Sequence, residues 1–106
     1  MNIQYKKGVL ELCIMALLKK RDCYGYEISE ALSGQIDIAD GTVYPILRKL
    51  KSDGSLTTYL QEESGGPPRK YYSLTESGAR NYENDKKEYL KFAESVKKML
   101  EDESND

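Results

Sequence analysis

Residues 41–50 read GTVYPILRKL, and this segment decides how the rest of the chain is interpreted. Its large aliphatic residues recur at i, i+3, i+4 and i+7, at Val43, Ile46, Leu47 and Leu50. This spacing places them on one side of an α-helix and predicts that this side is buried. We expect Asp40 or Thr42 to cap the start of the helix, because both side chains can accept a hydrogen bond from its first N–H groups.

The other side of this predicted helix is polar. At 100° per residue, the positions opposite the aliphatic stripe are Gly41, Pro45, Arg48 and Ser52, with Lys49 beside them and Thr42, Tyr44 and Lys51 on the flanks. Hydroxyl groups and cations on an exposed helix suit the phosphates and base edges of DNA. A plain solvated face would look the same, so the interpretation depends on the neighbouring elements.

Two helices are predicted before this segment. Residues 9–18 are apolar except for Glu11, and their Leu, Met and Ala content favours a buried helix over a strand. A second, short helix follows Gly25, and its inward positions are Ile28, Ala31 and Leu32. The turn of about six residues before the third helix is typical of a helix-turn-helix, which favours DNA as the partner of the polar face.

A β-hairpin is predicted after Gly54, where the apolar period changes to two. Leu56, Thr58 and Leu60 fall on one side of the first strand, and Tyr72 and Leu74 lie in the second. The connection contains two Gly and two Pro residues and ends with Arg69 and Lys70. A projecting tip followed by two cations suits an arm that contacts phosphates or enters a minor groove, although a mobile solvated loop remains the alternative.

A long helix is predicted from Thr75 onward, with Thr75 as its cap. Its apolar stripe resembles a heptad pattern interrupted at Asp85, and consists of Tyr82, Tyr89, Phe92, Val96 and Met99. A helix of about 27 residues is about 40 Å long, too long for so small a body to cover. We therefore expect this stripe to pack against a second copy of the chain in a homodimer. The alternative is that the helix folds back on the first helix of its own chain.

The predicted fold class is mostly α with a β-hairpin, a winged helix-turn-helix followed by a long C-terminal helix. We expect residues 1–75 to form the DNA-binding domain and residues 76–106 the dimerisation helix and an acidic tail. Leu, Ile, Val and Phe make up only about a fifth of the chain, so the core is thin. A second subunit commonly completes such a core.

The composition argues against an enzyme. The chain has no His and two Cys, which removes the commonest general base and any four-ligand zinc site built from His and Cys. We expect no metal, no cofactor and two reduced thiols. No run reaches the roughly 18 apolar residues that span a bilayer, and no signal peptide is recognisable, so we expect a cytoplasmic protein without membrane contact.

Four segments together resemble one family. Residues 24–28 (YGYEI), 41–50 (GTVYPILRKL), 67–72 (PPRKYY) and 74–78 (LTESG) are similar, in order and spacing, to the PadR-type transcriptional regulators. The short chain with one terminal helix is similar to the compact branch of that family. The resemblance implies a winged-helix homodimer that represses transcription at an inverted-repeat operator in double-stranded DNA, in some members released by a small phenolic or multidrug-like ligand.

The resemblance also implies site residues. Family residues on or near the DNA face match Tyr24, Tyr26, Thr42, Tyr44, Pro45 and Lys49, and the wing residues match Arg69 and Lys70. Some compact members stack aromatic drugs on a Trp of the terminal helix. This chain has no Trp and offers Tyr89 and Phe92, between the two terminal helices of the dimer, as the candidate contacts for a small aromatic effector. The alternative is a filled interface in which these rings pack against one another and against Met15 or Leu18.

The sequence therefore supports two hypotheses about function. The first is a dimeric, sequence-specific DNA-binding repressor, which would use Gly41 and Arg48 in addition to the matched residues. The second is a winged-helix adaptor whose basic face binds an acidic protein. The net charge of -2 favours the second, because total charge gives DNA binding no support.

Overall fold

The computed structural model describes residues 3–39, 41–62 and 65–102. Within these residues, four helices and a three-stranded antiparallel sheet follow one another as α1 (Ile3–Lys20), β1 (Cys23–Tyr24), α2 (Gly25–Ser33), α3 (Val43–Ser52), β2 (Leu56–Gln61), β3 (Arg69–Leu74) and α4 (Glu76–Glu101). The predicted class, a mostly helical winged helix-turn-helix with a long terminal helix, is confirmed. Asp40, one of the two predicted caps, lies outside the described residues.

Helix α1 runs through the centre of the fold but is buried on one side only. Leu10, Ile14, Met15 and Leu18 are buried, at positions i, i+4, i+5 and i+8. Leu12, Cys13, Ala16 and Leu17 are only partly covered, although the apolar run predicted burial throughout. A helix with apolar residues on two sides has more apolar surface than this one chain covers.

Helices α2 and α3 complete the helical core against α1. The predicted stripe of α3 is confirmed, since Val43, Ile46, Leu47 and Leu50 are all buried. In α2, Ile28 and Leu32 are buried as predicted, whereas Ala31 is only half-buried. These contacts fix the orientation of α3, and its polar side consequently faces away from the body.

The sheet contains a strand that the sequence did not predict. β1 pairs with β3, with Cys23 opposite Tyr72 and Tyr24 opposite Tyr71, so the strand order is β1-β3-β2. Cys23 is fully buried in spite of its polar neighbours in the sequence, and its thiol is free. A strand of two residues is too short to show an alternation of apolar and polar positions, which explains why the sequence did not predict it.

The hairpin of β2 and β3 begins in the core and ends outside it. Leu56 pairs with Leu74 at the buried end, and Gln61 pairs with Arg69 at the exposed end. Leu56 is buried, but Leu60, which lies on the same side of β2 as predicted, is 70% exposed. Alternation sets only the side of a strand on which a residue lies, and here the strand extends beyond the core that would cover that side.

The start of α4 is fixed against the α3–β2 corner. The Thr75 hydroxyl accepts a hydrogen bond from the Gly78 N–H at 3.0 Å, which confirms Thr75 as the cap, and it also contacts the Gly54 carbonyl at 2.7 Å. A Cβ on Gly78 would lie 2.2 Å from the Ser55 carbonyl oxygen. Only glycine allows this approach, which explains the LTESG segment physically.

Helix α4 then leaves the body, and the chain measures 66 × 28 × 21 Å along its principal axes. Gly78 and Tyr82 are its buried residues, and most of the positions after Tyr82 are exposed. The division into two domains at residue 75 stays a prediction. In the structure, the first turns of α4 belong to the same hydrophobic core as α1. No helix in the described part of the chain is long and apolar enough to cross a bilayer.

Candidate nucleic-acid interface

The polar face of α3 is exposed as a continuous surface. Tyr44, Pro45, Arg48, Lys49 and Ser52 all face solvent, opposite the buried stripe. The exposed face of α3 combines a planar ring and a proline without an N–H near its start with two cations further along. Such a surface can approach a polyanion closely and donate hydrogen bonds to it.

Two residues assigned to the outward face of α3 lie before the helix. Gly41 is exposed with φ of 83°, a left-handed conformation that favours glycine, so its role in the described structure is to form the turn. Thr42 occupies the N-cap position, but its backbone is helical, with φ of -65° and ψ of -35°, and its side chain makes no cap hydrogen bond. The prediction that the Thr42 hydroxyl caps the helix is therefore wrong.

Tyr44 connects α3 to the start of α2. A Cβ on Gly25 would lie 2.8 Å from the Tyr44 ring, so the absence of a side chain on Gly25 lets this ring pack closely against the start of α2. Tyr44 remains 43% exposed. Gly25 and Tyr44 belong to two separate segments of the sequence pattern, and this contact gives a reason for their joint occurrence.

Lys49 is paired within the chain. Its ammonium group donates a hydrogen bond to the Glu11 carboxylate of α1, and this bond is the main reason that the pKa of Lys49 is raised. The Lys49 side chain is 64% exposed, so the pair is accessible to a competing anion. The sequence assigned Lys49 to the site but did not indicate its partner Glu11. The one signal for Glu11 was that it is a charged residue within the apolar run of residues 9–18.

The start of α2 contributes tyrosines and a second ion pair. Tyr26 is 57% exposed, and its ring stacks on that of Tyr24 at 6.5 Å between centroids. The Glu27 carboxylate accepts a hydrogen bond from the Tyr24 N–H at 3.1 Å and lies 3.7 Å from the Arg21 guanidinium. Arg21 also approaches the Cys23 sulfur at 2.8 Å, and burial raises the pKa of that thiol.

The two wing cations lie on opposite faces of β3. Arg69 shares a face with Tyr71, whereas Lys70 shares one with the buried Tyr72, because successive residues of a strand alternate. The Arg69 guanidinium lies 4.5 Å from the centroid of the Tyr24 ring. Both cations are exposed, but Arg69 is held by an aromatic contact to another element, which the paired-cation pattern did not predict.

The structure brings these residues together on three elements. The polar face of α3, Tyr26 at the start of α2 and the outer end of the wing, which is the hairpin of β2 and β3, are solvent-exposed. The Gly25–Tyr44 and Tyr24–Arg69 contacts join these three elements. The candidate site residues in this region of the described structure are Tyr24, Tyr26, Thr42, Tyr44, Pro45, Arg48, Lys49, Arg69 and Lys70, with Gly41 in the supporting turn.

The predicted dimerisation stripe separates into two parts. Tyr82 is 7% exposed and packs in the core of its own chain, so it is not available for an interface and leaves that set. Phe92, Val96 and Met99 are 57%, 37% and 78% exposed. The alternative, that α4 folds back on α1, therefore holds for the first turns of α4 only. No other part of the described chain covers Phe92, Val96 and Met99, which we call the distal stripe.

The two candidate effector contacts also differ. Tyr89 lines a groove of about 620 Å³ between α1, α4 and the end of α3, together with Met15, Asp85 and Glu88. Phe92, one turn further along α4, is not among the residues that line it. The interruption of the heptad pattern at Asp85 thus coincides with this groove.

Comparison with known proteins agrees with the geometry. The model of the transcriptional regulator PadR-like family matches residues 14–84. The crystal structure of smu.1704 from Streptococcus mutans UA159 is 37% identical with a TM-score of 0.80, and the match covers 92% of this chain and 91% of that one. A PadR-like transcriptional regulator from Bacillus cereus strain ATCC 14579 is 32% identical with a TM-score of 0.85, over 94% and 99% of the two chains.

A longer relative matches over part of its length. The transcriptional regulator YqjI of Escherichia coli strain K12 is 32% identical over 94 residues, which are 85% of this chain and 44% of that protein. The family match covers more than half of the present chain, including α2, α3 and the wing. This chain therefore belongs to the PadR-like family of transcriptional regulators.

Proposed function

We propose that this protein is a repressor that binds a double-stranded operator as a homodimer. The observation that carries the proposal is the exposed polar face of α3, where Tyr44, Pro45, Arg48 and Lys49 lie opposite a fully buried stripe. A helix presented in this way by a helix-turn-helix enters the major groove, and its first residues reach the base edges. The protein acts by binding, and no reaction is proposed for it.

The wing supplies the second contact. Arg69 and Lys70 are exposed at the outer end of its strands and lie at the same end of the sheet as the start of α2. Cations in this position neutralise backbone phosphates, which orient the protein on DNA without reading the sequence. We assign base readout to α3 and orientation to the wing and α2.

A homodimer is supported by two uncovered apolar surfaces. One is the distal stripe of α4 with Phe92, Val96 and Met99, and the other is the half-buried side of α1 with Leu12 and Leu17. A second copy would bury both, and it would place two α3 helices about one turn of DNA apart, which requires an operator with inverted half-sites. Two linked contacts raise the affinity far above that of either one.

Release by a small aromatic effector is part of the same proposal, with the groove beside Tyr89 as its site. The groove is lined by apolar side chains such as Met15 and also by the carboxylates of Asp85 and Glu88. A ligand there releases DNA only if it binds more tightly to a dimer whose α3 spacing does not fit the operator.

The experiment that tests DNA binding is a salt titration on a mixed-sequence duplex, followed by footprinting on the promoter region of its own gene. For a DNA-binding protein, the logarithm of affinity falls linearly with the logarithm of salt concentration, because each phosphate contact releases counterions. The acidic total charge favours the adaptor alternative. No salt-dependent binding and no footprint would support that alternative and refute the repressor.

A further inference from the structure

The outer face of the sheet carries a row of three tyrosines, one from each strand. Tyr24 of β1 and Tyr59 of β2 both pair with Tyr71 of β3. The rings are in contact along the row, with 5.6 Å between the centroids of Tyr24 and Tyr71 and 5.7 Å between those of Tyr59 and Tyr71. Aromatic pairs at these distances stabilise each other beyond the area that they bury.

Both ends of the row are attached to charged groups. At one end, the Tyr59 hydroxyl donates a hydrogen bond to the Asp22 carboxylate at 2.6 Å, which raises the pKa of Tyr59. At the other end, the Arg69 guanidinium lies over the Tyr24 ring, 4.5 Å from its centroid. Arg69 is two residues before Tyr71 and therefore on the same face of β3.

Tyr24 itself is well fixed. Its backbone pairs with β3, its N–H donates to the Glu27 carboxylate at 3.1 Å, and its ring is half-buried. A guanidinium over a ring face keeps its N–H donors, which lie in its own plane, available to a phosphate. An arginine held in this way loses less side-chain freedom when it binds DNA than an arginine that moves freely.

We propose that Tyr24 is a positioning residue for Arg69, and that the tyrosine row holds this wing cation ready for a phosphate before DNA arrives. This inference rests on the proposed DNA-binding function and assigns Tyr24 an indirect role there. The contribution of Tyr24 comes from its ring, whereas a tyrosine that contacts DNA directly would act through its hydroxyl group.

The test is a double-mutant cycle on a mixed-sequence duplex at low salt. We expect Tyr24→Leu to weaken binding about threefold to fivefold, as an exposed cation–π contact would. In an Arg69→Gln background the same change should have almost no further effect, because its target is absent. Tyr24→Phe, which keeps the ring, should bind like the unmodified protein.

The control is a second double-mutant cycle, in which the neighbouring cation Lys70 is changed and Arg69 is kept. Lys70 carries the same charge on the opposite face of β3, so Tyr24→Leu and Lys70→Gln should have independent, additive effects. Coupling to Lys70 as strong as that to Arg69 would mean that Tyr24→Leu disturbs the whole wing, and would overturn the proposal. Equal losses in Tyr24→Phe and Tyr24→Leu would overturn it too, in favour of a direct contact by the hydroxyl.

A measurement without DNA separates this inference from the proposed function. In NMR spectra of the free protein, the ring current of Tyr24 should shift the side-chain protons of Arg69, and Tyr24→Leu should abolish that shift while Tyr24→Phe keeps it. Absence of the shift would overturn the inference alone. If the shift is present but the unmodified protein shows no salt-dependent binding, the repressor function is refuted, and with it the role of the ring contact in DNA binding.

Discussion

Lys49 of α3 and Glu11 of α1 form an ion pair that joins the proposed DNA-binding face to the central helix. A phosphate and the Glu11 carboxylate are competing anions for the same ammonium group. We expect Glu11→Gln to raise affinity for a mixed-sequence duplex about twofold to fivefold at low salt, because it removes the competitor and one negative charge near the DNA. Fluorescence anisotropy measures this change.

The matched control for Glu11→Gln is Glu76→Gln, which makes the same change of charge at an exposed position on α4. Equal gains in the two variants would show that total charge matters and the Lys49 pair does not. Stability should hardly respond to Glu11→Gln, since Lys49 is mostly exposed and such pairs contribute less than about 1 kcal/mol.

Removal of the cations tests the interface directly. We expect Lys49→Ala and Arg69→Ala each to weaken DNA binding by about 1 to 3 kcal/mol and to reduce the slope of the salt dependence by about one where the contact is to phosphate. Circular dichroism should show an unchanged fold, because both side chains are exposed.

Lys97→Ala serves as the control for these two variants, since it removes the same charge from the far part of α4. If all three variants bind equally well, the assignment of the DNA face to α3 and the wing is refuted.

The sequence predicted the parts of the fold that depend on apolar periodicity. The stripe of α3 and the Thr75 cap could be read from residue spacing, because helical geometry converts spacing directly into a face or an end. β1 could not, because two residues have no period and Cys23 is buried by a pairing with Tyr72 that is distant in sequence. The exposure of Leu60 could not be predicted either, because the extent of a core is a tertiary property.

Much the same limit applies to the candidate site. The cations of α3 and the wing were found as residue types at exposed positions, but their partners Glu11 and Tyr24 come from elsewhere in the fold. Arg69 and Tyr71 do share a strand face by alternation, and that signal could have indicated the outer face of the wing. The cross-strand ring contacts become visible only once the register of the strands is known.

The distal part of α4 should hold the dimer together. Replacing Phe92 and Val96 by Lys puts like charges on the uncovered stripe, and we expect a monomer in sedimentation experiments together with loss of operator binding. The control pair is Glu94→Lys with Glu101→Lys, which lies on the opposite side of α4 by helical spacing. A persistent dimer in the Phe92 and Val96 variant would move the interface to α1.

Effector binding should distinguish Tyr89 from Phe92. We expect Tyr89→Ala to weaken the binding of planar aromatic compounds to the free dimer, because Tyr89 lines the groove and Phe92 does not. Calorimetric titrations of free and operator-bound protein measure the difference that regulation requires. If Phe92→Ala has the larger effect, the site lies between the two α4 helices, and if no compound separates the two states, the effector proposal is wrong.

Alkaline pH should destabilise the core through Tyr72. Its phenol is buried against the helices, and burial, as the largest cause, raises its pKa above the usual value. The folded protein therefore keeps the proton that the unfolded chain releases, so the stability linked to Tyr72 is complete below about pH 10 and is lost as the pH rises from there through the folded-state pKa. Urea unfolding at several pH values should show this loss of stability in the unmodified protein and a smaller loss in Tyr72→Phe.

Tyr26→Phe, which alters an exposed ring, is the control and should follow the unmodified protein. If Tyr72→Phe and the unmodified protein lose stability in parallel above pH 10, the titration of another group governs the alkaline transition.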